Sequence, residues 1–299
     1  MNSILNQFTV IMNEIARLPF FEQEIVCSKI QFTFEDYVKK FPPYAIKVYD
    51  SVFGTLLNET EFSATNKTIL EIGPGFSIGV LFLAVLCGAR KVHAVDAFAH
   101  EKGSDHDYIL AMYQHLINDH TFFSSSAVTM NDQDFTDQFS AYIAKDGDGK
   151  FDIVHSWGVQ HHTGDMHLAL RNATSLVAEK GYFDTAIYNK HWSSRTWRII
   201  KKLYCVSPSI IKLFMICTMY PLIFLAKFIV TGKNPFKQER GMDFFYNVVD
   251  WIGGYPYEYA SIDELISFLN TLGFDCIYKK LATVPTGCNE FIFKRTKVT

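Results

Sequence analysis

The sequence predicts an α/β protein with a mostly parallel sheet, a helical cap ahead of it and a helical lid inserted late in it. From Lys67 to Tyr188 short apolar runs alternate with longer stretches of helical spacing, the pattern of successive βαβ units. The stretch LEIGPGFSIG, Leu70 to Gly79, joins one such run to the next by a glycine-rich turn, which lets backbone approach a ligand closely at a helix start. Two late runs, GFDCIYKK and NEFIFKR, close the chain as strands.

Composition sets the bounds. With 299 residues, 48% hydrophobic and 20% charged, the chain can bury one sizeable core with elaborations. Its net charge of -3 gives no electrostatic case for a nucleic-acid partner. The six cysteines form no C-x-x-C pair and no zinc-like His spacing, so the expectation is reduced thiols in the cytoplasm and no metal site; Glu14, with no basic region ahead of an apolar stretch, gives the expectation of no secretory signal,.

The elements follow in order. Phe8, Ile11, Met12 and Ile15 fall at helical spacing, as do parts of Phe34 to Leu57, so residues 1–65 read as a helical cap. Residues 66–190 read as the core. There TILEI, KVHAV, AVTM, FDIVHSW and YFDTAIY are the strands, with helices from Ser77, through Tyr108 to Ile117, from Phe135 to Ile143 and from Asp165 to Ala178. Residues 191–260 form an insertion, opening on HWSSRTWRIIKKLY and ending on GMDFFYNVVDWIGGYPYEYAS. Residues 261–299 hold a final helix and a closing hairpin, and Ser261 with Glu264 three residues on has capping-box spacing,.

Within the insertion, LFMICTMYPLIFLA, residues 213–226, is apolar and interrupted by Pro221. By itself it is shorter than the roughly 20 apolar residues that a bilayer span needs. Two buried helices kinked at the proline are the plainer expectation. A peripheral membrane contact or a greasy lid is the alternative.

The glycine-rich turn argues against one ligand class. A dinucleotide fingerprint requires glycine where Ile78 stands,. Glu71, just before the first glycine, would repel a pyrophosphate and suit a cationic amino group. Asp96, which ends KVHAVD, sits where an acid accepts both ribose hydroxyls,. Glu71, Gly73, Gly75 and Asp96 together read as a pocket for an adenosyl amino acid. Ser77, where many such turns carry glycine, fits as a helix N-cap.

EIGPGFS, the strand-end Asp96, FDIVHSWGVQHHTGD and the closing hairpin resemble the successive motifs of class I S-adenosylmethionine-dependent methyltransferases. The S-x-G-V-x-H-H form at Ser156 to His162 is similar to ubiquinone-pathway O-methyltransferases, and GMDFFYNVVDWIGGYPYE resembles a segment of a bacterial subgroup suspected of acting on glycans or secondary metabolites. The resemblance implies a Rossmann-like seven-stranded sheet with one antiparallel strand. It implies S-adenosylmethionine as cofactor and S-adenosylhomocysteine as product. It puts Gly73 and Gly75 against the methionine moiety, Glu71 near its amino group, Asp96 on the ribose, and Ala97 and Phe98 beside the adenine. Asn131 and Asp132, or alternatively Asp134, would meet the adenine amino group, and Ser156 and Trp157 would lie beside the sulfonium.

Methyl transfer needs alignment and, for a hydroxyl acceptor, a base. His161 and His162 follow the fourth strand and are the candidates, although a turn histidine often only ties down its loop. A metal cluster from His161, His162, Asp165 and His167 is disfavoured because adjacent side chains diverge. Tyr188, Trp192, Asp243 and Tyr255 are candidate contacts to a small-molecule acceptor. Arg195 and Arg198 could bind an anionic group or simply be a solvated helix face. The leading function is O-methylation of a small or lipid-carried metabolite or sugar, in the cytoplasm or at the inner membrane face. N- or C-methylation, a nicotinamide-dependent oxidoreductase and a non-catalytic membrane-associated module are the competitors.

Overall fold

A seven-stranded sheet of order β3-β2-β1-β4-β5-β7-β6 organises the chain. The computed structural model describes residues 48–60, 63–74, 79–95, 121–122, 150–236 and 244–296. In chain order the elements are α1 (Thr55–Thr60), β1 (Thr68–Ile72), α2 (Gly79–Leu86), β2 (Lys91–Val95), β3 (Thr121–Phe122) and β4 (Phe151–Trp157). They continue with α3 (Met166–Ser175), β5 (Val177–Tyr188), α4 (Ser194–Val206), α5 (Ser209–Thr231), α6 (Phe244–Gly253), α7 (Ile262–Thr271), β6 (Phe274–Lys280) and β7 (Cys288–Arg295). β1 to β5 pair in parallel, and β7 inserts antiparallel between β5 and β6. The mostly parallel α/β sheet expected from the alternation is therefore present, with the antiparallel closing hairpin.

Burial explains the strand composition. β1 and β4 are covered on both faces and read as mostly apolar runs, with Glu71, His155 and Ser156 as buried polar residues and Thr68 and Asp152 half-buried,. On one face Leu70, Ile72, Val154, Phe183, Phe291 and Phe293 pack against Leu170, Ala173, Leu265 and Leu269 of α3 and α7. Asp165 caps α3 by accepting from the Leu168 N–H at 3.0 Å. Ser261 and Glu264 form the reciprocal capping box that their spacing suggests, worth about 1 kcal/mol.

Three local expectations change. The helix expected to reach Ala178 stops at Ser175, because Val177 is already strand and pairs with Phe151. The strand beside β2 is Thr121–Phe122, and the AVTM run lies outside the described residues. The apolar run is not two buried helices: Ser209–Thr231 is one helix that contains Pro221 and has no buried residue. By length and composition it could cross a membrane. The flanking Ser209–Lys212 and Lys227–Thr231 continue the helix, which a count confined to the apolar stretch omits.

The two ends of the insertion meet. Asn189 and Ala260 form an isolated parallel bridge, the Ala260 N–H donates to Tyr188 O at 3.1 Å, and the Lys190 N–H donates to Ala260 O at 3.1 Å. Between these ends α4, α5 and α6 pack by aromatic contacts. Trp197 meets Trp251 at 5.5 Å between centroids, and Tyr220 and Phe224 meet Phe244 at 5.0 and 5.7 Å.

Candidate active site

The carboxyl ends of β1, β4 and β5 lie side by side, the edge where open α/β sheets place their ligands. Gly73 follows β1, and its N–H donates to Val95 O at the end of β2 at 2.7 Å. Its φ is +74°, and a Cβ there would stand 2.2 Å from Val159 Cγ2. Glycine is thus required by left-handed backbone and by the loop after β4 packing onto the turn. Gly75, Asp96, Ala97, Asn131, Asp132 and Asp243 lie outside the described residues, as do Ser77, Phe98 and Asp134.

Glu71 and Trp157 reach this edge on one face of the sheet, Glu71 buried and Trp157 half-buried. Ser156 faces the other way: it is fully buried and its Oγ accepts from Gln160 Nε2 at 2.8 Å. The serine side chain is thus engaged by the turn that follows it, and only its backbone stands at the strand edge.

His161 and His162 form a short 3-10 turn, Gln160–His162. His161 is buried, and its Nδ1 accepts from the Tyr188 N–H at 3.3 Å. Burial, followed by the positive fields of His162 and Lys201, holds this imidazole well below its ordinary range, so it stays neutral,. His162 is half-buried, and its Nδ1 lies 2.6 Å from Pro256 O. A carbonyl only accepts, so that contact assigns the proton to Nδ1 and leaves Nε2 as the basic nitrogen. The His161 carbonyl in turn accepts from the Glu258 N–H at 2.9 Å, and Glu258 Oε2 accepts from the Gly164 N–H at 3.1 Å. The histidine turn and the segment from Pro256 to Glu258 therefore hold one another.

Tyr188 is the hub of the aromatic side of this site. Its ring lies 4.0 Å from His161, 5.5 Å from His162, 5.4 Å from Trp251 and 5.0 Å from Tyr257. Tyr255, half-buried, begins the same segment through a cis bond to Pro256. Trp192, by contrast, is 85% exposed and touches only the His191 ring among the described aromatic pairs. Arg195 and Arg198 are exposed on α4.

The sequence reading missed two features. Lys201 is fully buried, with Nζ 4.1 Å from the Trp251 ring centre and 4.9 Å from that of Tyr257, and it donates to Trp251 O. The inward stripe of α4 is Ser194, Trp197 and Lys201, while Leu203 is exposed. Spacing of three and four residues from Trp197 was the available signal, but a lysine in a basic run reads as solvated. The second feature is His155 between Glu71 and Asp184, whose adjacency across three strands no local pattern reveals.

A methyltransferase domain family model matches residues 45–214. No curated protein matches the chain significantly. Among solved structures the chain is similar to PKMT2 from Rickettsia typhi at 12% identity and a TM-score of 0.54, over 86% of this chain and 54% of that one. It therefore spans about half the length of PKMT2. It is also similar to magnesium protoporphyrin IX methyltransferase (ChlM) from Synechocystis PCC 6803 with bound SAH, at 13% identity and a TM-score of 0.47, over 96% and 93% of the two chains. A third is the Burkholderia thailandensis 1,6-didemethyltoxoflavin-N1-methyltransferase, at 13% identity and a TM-score of 0.46, over 85% and 79%. At these identities the likeness is one of fold. The family model covers more than half of the chain, and the sheet order agrees with it: the chain belongs to the methyltransferase domain family, and it is a methyltransferase.

Proposed function

We propose that the protein takes a methyl group from S-adenosylmethionine and passes it to a hydroxyl of a small or lipid-carried metabolite or sugar, as an O-methyltransferase of the ubiquinone-pathway type. The observation that carries this reading is the convergence of Glu71, Gly73, Trp157 and the His161–His162 turn on one sheet edge, beneath the segment from Tyr255 to Ala260. Glu71 accepts from the cofactor's amino group, Asp96 holds the ribose, and Trp157 offers a π face toward the sulfonium. Tyr188 and Tyr255 line the acceptor side, and residues 191–260 act as its lid.

The transfer is an in-line displacement. The acceptor oxygen bonds to the methyl carbon as the carbon–sulfur bond breaks, the sulfur leaves as a neutral thioether, and the hydroxyl proton passes to a base. His162 suits that part better than His161. Its tautomer leaves Nε2 basic, whereas His161 is buried and resists protonation,. Titration with S-adenosylhomocysteine and, separately, NADH tests the cofactor class. Saturable binding of the first and none of the second is expected; the reverse would sink the reading.

A second reading concerns where the acceptor comes from. We propose that residues 213–226 bring the protein to the inner face of a membrane. The favouring observation is α5, whose Phe214, Leu222 and Leu225 are 72%, 55% and 54% exposed. From Lys190 to Gln238 the chain carries nine lysines and arginines and no aspartate or glutamate, against a net charge of -3 for the whole. Apolar side chains in a segment rich in lysine and arginine suit an anionic leaflet. Lys212 and Lys227 sit inside the helix, and Tyr220 and Phe224 pack on Phe244 of α6, so the helix lies in the surface plane rather than crossing. The full chain is expected to float with phosphatidylcholine vesicles containing phosphatidylglycerol and much less with phosphatidylcholine alone. Phe214→Glu combined with Leu225→Glu should lower that binding about tenfold or more. Binding indifferent to both lipid charge and these substitutions would remove the membrane reading.

A further inference from the structure

The outer side of α4 carries a second apolar strip that the fold leaves uncovered. Trp197 and Lys201 of this helix face Trp251. Ile199, Leu203 and Val206 have i, i+4, i+7 spacing and fall on the side opposite Lys201. They are 69%, 52% and 72% exposed. Trp192, just ahead of the helix, and Ile210, the second residue of α5, are exposed too. Only Ser207 and Pro208, both extended, stand between α4 and α5. Val206 and Ile210 therefore carry the exposed apolar surface of α5 across this corner and onto α4.

The charged residues of α4 are arranged to one side of the strip. By the same helical spacing Arg195 and Lys202 flank Ile199 and Val206, and both are exposed,. Arg198 lies further round the helix, and its field reaches Glu258. Apolar side chains on one line, a basic flank and an exposed indole at one end match a helix that lies in an interface with anionic headgroups.

We propose that α4 lies on the same anionic leaflet as α5, with Ile199, Leu203 and Val206 entering the acyl boundary, Trp192 at headgroup level and Arg195 and Lys202 on the lipid phosphates. This rests on the membrane reading of α5 and goes beyond it. One helix in the surface plane leaves rotation about its axis open, whereas two helices joined by a non-helical corner fix the orientation of the protein. Trp192 follows Tyr188, the end of β5, by four residues. The orientation thus seats the carboxyl end of β5, and the acceptor side with it, at the leaflet. A lipid-carried acceptor reaches Tyr188 from there without crossing open water, which favours that class over a free sugar.

The test uses the full chain with vesicles of phosphatidylcholine alone or with phosphatidylglycerol. Each type is prepared with and without brominated acyl chains, which quench a tryptophan at the lipid boundary. On the anionic brominated vesicles part of the tryptophan emission is expected to be quenched. Trp192→Phe should remove that quenching while the chain still binds. Ile199→Glu combined with Val206→Glu should weaken binding about tenfold, with an unchanged melting curve because both side chains are already exposed. Arg195→Gln combined with Lys202→Gln should cut the preference for anionic vesicles about tenfold. Suppose that the wild-type chain floats and Phe214→Glu with Leu225→Glu weakens it, yet Trp192 stays unquenched and the α4 substitutions change nothing. Then α4 stands clear of lipid and this inference alone fails. If the wild-type chain floats with neither vesicle, the membrane reading of α5 fails and this one with it. Sedimentation checks for a second copy on the strip: a dimer that Ile199→Glu with Val206→Glu dissociates would overturn the lipid assignment.

Discussion

Asp96→Ala should weaken S-adenosylhomocysteine by about 100-fold or more, since each hydrogen bond from a ribose hydroxyl to a carboxylate is worth about 1.5 kcal/mol or more. Asp96 directly follows Val95, the end of β2, and the Val95 carbonyl is tied to Gly73 at the end of β1. The residues just past β1 and β2 thus begin from adjacent strand ends. Calorimetry with the purified full chain measures the effect, and a melting curve confirms that the variant folds. An unchanged affinity would mean that the ribose is held elsewhere. Asp96→Asn should recover part of the loss, because the amide still accepts a hydrogen bond but carries no charge.

His162→Ala should lower kcat about 100-fold while leaving S-adenosylhomocysteine affinity within a factor of about two. The assay is methyl transfer from labelled S-adenosylmethionine to the best acceptor found in a panel of phenols, quinols and sugars. The expectation follows from His162 holding its proton on Nδ1 against Pro256 O. His161→Ala should instead lower stability, because it empties a buried site whose Nδ1 ties the turn to Tyr188,. If His162→Ala keeps full kcat, the base assignment fails and an acceptor that needs no base, such as an amine nitrogen, gains ground over a hydroxyl.

Much of the core was legible because its signals are local. β1, β2 and β4 announce themselves as short apolar runs since both their faces are covered,. The glycine at position 73 is legible for a similar reason, although the packing partner that enforces it, Val159, comes from a different loop. The capping box at Ser261 also lies within four residues. Errors gathered where burial decides. The apolar run around Pro221 looked like core by hydropathy, yet α5 stays exposed because only its Tyr220 and Phe224 side finds α6 to pack against.

Side-chain roles were less legible than elements. Trp192, a candidate substrate contact from its position after β5, is 85% exposed. Lys201, which the sequence reading did not single out, is enclosed by Trp251, Tyr257 and Tyr188. The placement of Lys201 turns on which side of α4 faces Trp251 and Tyr188, and the helix's own pattern does not declare it, since Ile199 and Leu203 are exposed while Lys201 is buried,.

The sequence by itself determined the α/β alternation, the glycine-rich turn after β1 and the argument against a dinucleotide from Ile78, because these depend on residues near one another in the chain. Only the tertiary structure decided that β7 slips between β5 and β6, that Tyr188 joins both histidines to the segment after Pro256, and that His155 stands between Glu71 and Asp184. The last of these brings residues 29 and 84 positions apart into contact or near-contact. Their adjacency is set by strand order and register, which follow from how the whole core buries its surface and not from any single segment.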